Sequence, residues 1–244
     1  MSGLTSSMIV FAFAFGGALV GILIYRVLPE DQLSAQSKDI VRLGMGLVAT
    51  MVALVLGLLV GSAKSFYDKQ NDEVTQFAAD IVLLDRTLAH YGPEAAEVRA
   101  TLRSAMNHLK DVVESGNLVR SQEGEDIFDM IKSLSPKDDD QRTIRAEASS
   151  LVTQLARIRW LVYEQRTERI PMALLVMLVF WLSVLFVSFG LYAPRNLTVL
   201  ASLFVAALAV TGTIFLIVEL YHPSSGLIRI SDAPLRAALA QLGQ

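Results

Sequence analysis

Residues 47–74, LVATMVALVLGLLVGSAKSFYDKQNDEV, decide the fold of this chain. Up to Ala63 the segment is apolar and uncharged, and from Lys64 onward it is polar and charged. An uncharged apolar helix belongs in lipid, whereas a charged continuation belongs in water. The pattern therefore predicts a transmembrane helix that leads into a long helix outside the bilayer.

Three further uncharged segments resemble this one in length and composition. Hydrophobic residues make up 53% of the chain and the mean hydropathy is +0.47, which is too apolar for a single soluble domain. Each uncharged segment approaches the roughly 20 residues that a helix needs to cross a bilayer, and none shows the alternation of a barrel strand. The sequence predicts an all-α membrane protein with four transmembrane helices, at residues 8–25, 43–63, 172–193 and 196–218. We interpret the first as a retained span and not a secretory signal, because no basic residue precedes it.

The polar block between the second and third spans carries apolar residues at helical spacing. Three stripes recur in it: Phe77, Ile81, Leu84 and Leu88; Val98, Leu102, Met106 and Leu109; and Ile144, Ala148, Leu151, Leu155, Ile158 and Val162. Gly92 and Pro93 separate the first helix from the second. The block therefore predicts a helical bundle that extends from the second and third transmembrane helices.

Four regions follow from this organisation. They are transmembrane helices 1 and 2 at residues 1–63, the extramembrane bundle at 64–170, transmembrane helices 3 and 4 at 171–221, and a turn with an amphipathic tail at 222–244. In the tail Leu235, Leu239 and Leu242 share one helix face. That face suits the tail either to lie on the bilayer surface or to dock against the bundle.

Several classes of chemistry find no support in the sequence. There is no cysteine, which removes disulfides, thiolate metal sites and cysteine nucleophiles. Three scattered histidines, no phosphate-binding glycine loop and no serine elbow predict neither a metal site, nor a cofactor, nor an enzyme. The formal net charge of −3 without a basic stripe gives no case for nucleic acid as a partner. Asp138, Asp139 and Asp140 lack the ligand spacing of a calcium loop, so we expect a solvated loop there.

The second span separates small side chains from bulky ones. Its smallest residues recur every three or four positions and fall on one helix face: Gly46, Thr50, Ala53, Gly57 and Gly61. Bulky residues occupy another face: Leu47, Met51, Leu54 and Leu58. A small-residue face has two interpretations, close packing against another helix or the lining of a pore. A symmetric oligomer could use both edges of the same face.

The fourth span ends on a carboxylate, Glu219, with His222 close by. One interpretation is an interfacial residue that pairs with Arg229 or with a basic residue of a neighbouring chain. The other is an ion-binding or proton-titrating group at a pore mouth, together with His222. Pro223 then stops the helix and Gly226 turns the chain.

The arrangement resembles the bacterial bestrophin-like domain family, which is distantly related to bestrophin anion channels. The likeness rests on four spans, the helical block, residues 47–74, and the stretch VELYHPSSGLIRIS at residues 218–231. The sharpest match is Glu219 followed by Pro223, Gly226 and Arg229. The resemblance implies a pentamer, a pore along the second span that would make Gly46 to Gly61 pore-lining, and both termini in the cytoplasm.

The sequence leaves two alternatives for the side of the membrane on which the bundle lies, and two for the function of the protein. Lysine and arginine near the span ends favour a cytoplasmic bundle, whereas the uncharged N-terminus before Arg26 argues for the reverse; the resemblance favours the cytoplasm. We expect a multi-pass protein of the bacterial plasma membrane, with lipid, copies of itself and inorganic ions as partners. It is either an oligomeric channel-like transport protein or a membrane-anchored sensor or scaffold whose bundle binds a ligand or partner.

Overall fold

The computed structural model describes residues 3–27, 35–115, 123–165, 172–194, 196–221 and 228–242. Within those residues all regular structure is helical. The helices are α1 (Gly3–Ile24), α2 (Ala35–Tyr91), α3 (Ala96–Ser115), α4 (Glu123–Ser133), α5 (Asp139–Gln165), α6 (Met172–Tyr192), α7 (Leu197–Leu220) and α8 (Ala233–Gln241). A short 3₁₀ turn, Pro93–Ala95, lies between α2 and α3.

Four of these helices are long and apolar enough to cross a membrane: α1, α2, α6 and α7. They confirm the predicted all-α membrane fold. The first begins at Gly3, earlier than the predicted residue 8, because the polar residues there are compatible with a helix. Ser7, for example, donates its hydroxyl hydrogen to the Gly3 carbonyl at 2.8 Å.

The chain forms two compact units. The membrane unit comprises Met1–Tyr67 and Arg169–Ile228, and the bundle unit comprises Asp68–Glu168 and Arg229–Gln244. Helix α2 is continuous from Ala35 to Tyr91 and so contributes to both. A single helix therefore begins among the spans and ends in the bundle.

In the membrane unit α1 packs against α6 and α7 around a shared apolar core. Three phenylalanines of α1 and α7 interlock: the ring of Phe204 meets Phe11 edge-on at 5.5 Å and Phe15 edge-on at 5.4 Å. Edge-to-face contacts of this kind are favourable beyond the area they bury. They fix α7 on one side of α1.

A neighbouring face of α1 approaches α6 so closely that two glycine positions at the contact have no room for a side chain. A Cβ atom added at Gly21 would lie 2.1 Å from the Val187 carbonyl oxygen, and one added at Gly190 would lie 2.0 Å from the Ala18 carbonyl oxygen. Ala18 itself is fully buried. The intimate small-residue packing within this chain therefore occurs between α1 and α6.

The bundle core contains most residues of the three stripes named from the sequence. Helices α2, α3, α4 and α5 contribute buried side chains that include Ile81, Leu84, Leu88, Val98, Leu102, Met106, Ile131, Ala148 and Leu151. The side chains of Leu109 and Val162 lie outside the described residues. Leu235 and Leu242 are buried in the same core, and Leu239 packs against it. Of the two docking places considered for the tail, the structure shows the bundle.

Polar contacts close the bundle at the α2–α3 turn. Gly92 adopts φ +117°, a conformation that other residues rarely reach, and Gln141 donates its side-chain amide to the Tyr91 carbonyl at 2.9 Å. Asp85, which is 3% exposed, accepts two hydrogen bonds of 2.8 Å from the Arg99 guanidinium. This contact raises the pKa of Arg99 above its ordinary value.

The segment of three consecutive aspartates is exposed, as expected for a solvated loop, but α5 begins within it at Asp139. Asp138 accepts a hydrogen bond from the Gln141 backbone amide at 2.7 Å, while Asp139 and Asp140 lie in the first turn of α5. All three side chains are exposed. The free amides and positive end of the helix dipole favour carboxylates at this position, so the aspartates begin a helix.

Candidate pore-lining face

Helix α2 presents three faces within the membrane unit. The buried face includes Val52, Leu59 and Ala63, which are at most 5% exposed and belong to the core shared with α1, α6 and α7. At about 100° of rotation per residue, the small-residue face lies roughly 140° from the buried face in one direction. The bulky face lies about as far in the other direction. Both faces therefore point away from the core that α2 shares with α1, α6 and α7.

The small-residue face is exposed at all five of its positions, Gly46, Thr50, Ala53, Gly57 and Gly61. A Cβ atom added at Gly46, Gly57 or Gly61 would meet nothing within 4 Å among the described parts of the chain, and Thr50 and Ala53 are exposed. The Thr50 hydroxyl donates to the Leu47 carbonyl of its own helix at 2.8 Å. Among the described residues, therefore, the packing interpretation has no partner helix for this face.

The bulky face is also exposed. Leu47, Leu54 and Leu58 are 75%, 70% and 75% exposed, and Met51 is 42% exposed. Exposing this much apolar surface to water is unfavourable. We therefore expect lipid or another protein surface to contact these side chains. Two outward faces of opposite size thus run side by side along the same helix.

Glu219 lies inside the membrane unit and is 6% exposed. Its Oε1 atom would be 2.6 Å from a Cβ atom added at Gly3, the first residue of α1, so the carboxylate lies against that helix end. The first amides of a helix and its dipole stabilise a negative charge, and Glu219 is among the residues that have an interaction partner in the fold. The sequence interpretation paired Glu219 with basic residues and did not anticipate α1.

Tyr221, the residue that follows α7, contacts α2 just past the end of its uncharged span, between the bulky face and the buried face. Its hydroxyl lies 3.0 Å from the Ser62 hydroxyl, and its ring stacks on Phe66 with centroids 5.1 Å apart. Sequence reasoning missed this contact. The signal available was a tyrosine at the polar boundary of a span, where its ring and hydroxyl suit opposite environments.

Only one of the other predicted site residues near the end of α7 lies in the described part of the chain. His222, Pro223 and Gly226 lie outside the described residues, so their roles stay predictions. Arg229 is exposed in a non-helical segment of the bundle unit. In the described part of the chain, no group of three or more histidine or acidic side chains is placed to hold a metal ion.

Four apolar helices and a helical bundle that shares the long α2 define an all-α membrane protein. The chain matches the Bestrophin-like domain family over residues 12–235. It therefore belongs to the bestrophin-like family, and the resemblance drawn from residues 47–74 and 218–231 is confirmed.

The fold resembles the crystal structure of a mutant bacterial bestrophin homologue from Klebsiella pneumoniae. The TM-score is 0.71 at 14% sequence identity, over 96% of this chain and 97% of the other. At that identity the likeness shows the fold. No protein of curated function matches this chain in sequence.

Proposed function

We propose that the protein is an oligomeric ion channel or channel-like transport protein whose pore is lined by α2. Membership of the bestrophin-like family supports a channel-type protein and not an enzyme. The observation that carries the choice of lining is the exposure of Gly46, Thr50, Ala53, Gly57 and Gly61 without a neighbour among the described residues.

Small side chains suit a pore for a steric reason. Glycine and alanine leave the width of a hydrated ion between facing helices and bring backbone dipoles near its path. The Thr50 hydroxyl, whose hydrogen is directed to its own helix, presents its oxygen lone pairs as an acceptor. A cation or the hydrogens of a water molecule would therefore find a partner at this level of the pore.

A pore of this kind needs a closed ring of subunits. The family resemblance supports a homo-oligomer, for which we propose a pentamer. Within it the two outward faces of α2 have different neighbours. The small-residue face borders the axis, while the bulky face of Leu47, Leu54 and Leu58 packs on a neighbouring subunit. We place this assembly in the bacterial plasma membrane with the bundle in the cytoplasm.

Enlarging Gly57 tests the proposed lining. Gly57→Phe should narrow or dewet the path and largely abolish ion flux in reconstituted vesicles, with the oligomer intact. Gly212→Phe on α7 is the matched control, because a Cβ atom at Gly212 also meets nothing within 4 Å among the described residues. Dissociation of the Gly57→Phe oligomer would instead identify a packing face. Unchanged flux through an intact oligomer would remove Gly57 from both the pore lining and a packed interface.

A cysteine scan adds independent evidence, since the chain contains no cysteine. Single cysteines from Gly46 to Gly61 should react with a water-soluble thiol reagent at a helical period, with maxima on the small-residue face. Maxima at Leu47, Leu54 and Leu58 would transfer the lining to the bulky face. Uniform inertness in an intact oligomer would remove α2 from the pore.

A further inference from the structure

A cavity of about 410 Å³ opens in the membrane unit among α2, α6 and α7. It lies where α2 enters its uncharged span, where α6 ends at Tyr192 and where α7 begins at Leu197. All three helix ends belong to the same boundary of the spans, because successive spans alternate in direction. The cavity therefore opens at the level where a bilayer changes from headgroups to hydrocarbon.

The polar side chains of the cavity have no partners in the described chain. Arg42 is the last charged residue before the uncharged part of α2, and it makes no hydrogen bond or ion pair with any described residue. Ser188, which is 9% exposed, likewise has no hydrogen-bond partner among the residues that the structure covers. The contrast is Ser183 on the same helix, whose hydroxyl donates to the Val179 carbonyl at 2.7 Å.

An anion with several acceptor oxygens would satisfy both groups at once. A guanidinium binds phosphate through fixed, charge-assisted hydrogen bonds, and a serine hydroxyl can donate to the same group. Lys38 lies one turn before Arg42 on the same face of α2 and adds a second positive charge near the cavity mouth. Tyr192 lines the cavity at this end, as tyrosines do at membrane boundaries.

The rest of the cavity is apolar. Its lining continues along Met45, Ala49, Phe189 and Leu203, and Ala49 lies about 10 Å deeper than Arg42 along the helix axis at 1.5 Å per residue. The volume of about 410 Å³ falls within the range of roughly 300–1,000 Å³ typical of ligand pockets. A free inorganic anion would leave this apolar part unfilled, whereas an amphiphile aligned with the bilayer would fill it.

We propose that this cavity binds an anionic phospholipid. The phosphate lies between Arg42 and Ser188, and an acyl chain extends along Ala49 and Leu203. The site does not depend on ion conduction, so it stands or falls separately from the proposed channel. Gly46 lines both the cavity and the small-residue face of α2, so the lipid would contact the helix that we propose as the pore lining.

Lipid titration of the full-length protein in detergent, followed by native mass spectrometry, tests the site. Phosphatidylglycerol should bind the parent protein more tightly than phosphatidylcholine does. Arg42→Gln should weaken phosphatidylglycerol binding about fivefold, as expected for one basic residue at a membrane surface, and Arg42→Lys should retain most of it. Arg26→Gln is the matched control, because Arg26 follows α1 at the same boundary and does not line the cavity.

Two further arms separate a lipid from other occupants. Ala49→Leu should weaken phosphatidylglycerol binding by occupying the acyl-chain position while leaving Arg42 in place, and millimolar inorganic phosphate should leave the lipid bound. Equal losses in Arg42→Gln and Arg26→Gln would reduce the effect to general surface charge and overturn the proposal. Displacement by inorganic phosphate, no phosphatidylglycerol bound to the parent protein, or full lipid binding in both Arg42→Gln and Ala49→Leu would also overturn it.

Discussion

Replacing Gly21 by alanine should loosen the contact between α1 and α6. The added Cβ atom would lie 2.1 Å from the Val187 carbonyl oxygen and 2.8 Å from the Leu191 nitrogen, both of which are backbone atoms. No side-chain rotation can relieve such a clash. The two helices would have to move apart by about 1.3 Å to restore an ordinary contact of 3.4 Å, and the neighbouring core contacts of Ala18 would lengthen with them.

The size of the effect follows from two opposing terms. Overpacking a well-packed core costs about 1–3 kcal/mol, whereas glycine to alanine inside a helix gains about 0.8–1 kcal/mol from backbone conformation. Gly16→Ala on the same helix supplies the second term alone, since a Cβ atom there meets nothing within 4 Å among the described residues. The difference in the free energy of unfolding between the two variants is therefore the clash itself, about 1–3 kcal/mol.

Thermal unfolding of the detergent-solubilised protein, followed by far-ultraviolet circular dichroism, measures that difference. At about 2–4 °C per kcal/mol for a chain of this size, Gly21→Ala should unfold about 2–12 °C below Gly16→Ala. Gly190→Ala, whose Cβ atom would lie 2.0 Å from the Ala18 carbonyl oxygen, should behave like Gly21→Ala. Equal midpoints for Gly21→Ala and Gly16→Ala would show that α1 and α6 do not meet backbone to backbone.

Three further predictions concern the bundle unit. Serine at Leu235, Leu239 and Leu242 together should expose the tail to limited proteolysis, whereas Ala237→Ser on the exposed side of α8 should not; equal cleavage of the two would contradict docking. Asp85→Asn should lower the free energy of unfolding by about 1.5–3 kcal/mol, the value of a hydrogen bond to a charged group, while exposed Asp139→Asn should change it little. The hydrogen bond from Lys137 lowers the pKa of Glu94 below its ordinary value. The Glu94 contribution to stability is therefore present above the unfolded-state pKa and is lost as the pH falls through the folded-state pKa. Glu94→Gln should therefore flatten acid unfolding measured by circular dichroism, and an unaltered acid profile would argue against the pair.

The membrane spans and the bundle helices follow from local sequence, and for that reason they could be predicted. Uncharged length determines which helices can cross a bilayer, and apolar spacing places Ile81, Leu84 and Leu88 on the buried side of α2. Gly92 ended that helix as expected, because its φ of +117° suits glycine alone. The helical start at Asp139 was missed, because the hydrogen bond from the Gln141 amide to Asp138 outweighs the loop character of three consecutive charges.

The partners of each helix face were harder to predict, because periodicity identifies a face and not its neighbour. Glu219 and Gly3 lie at opposite ends of the sequence, and nothing local relates the carboxylate to the first turn of α1. The contact of Tyr221 with Ser62 and Phe66 has the same character. Long-range contacts of this kind depend on which helices pack together. Local sequence patterns identify the helices but not their packing partners.

Small-residue spacing shows that a helix face can be predicted without its neighbour. Helices α1 and α2 both have this spacing, but among the described residues the small-residue positions pack closely on another helix in α1 and not in α2. In α1 the buried positions Ala14, Ala18 and Gly21 are four and three residues apart, and at Ala18 and Gly21 the backbone meets that of α6. In α2 the spacing from Gly46 to Gly61 is equally regular, yet a Cβ atom added at any of its three glycines would meet no described residue within 4 Å. Helix α1 packs on α6 and α7, and α2 is buried along Val52 and Leu59, so the described core of the membrane unit forms without the small-residue face of α2. The proposed ring of α2 helices around a common axis gives the five small residues of that face a role that no contact among the described residues supplies.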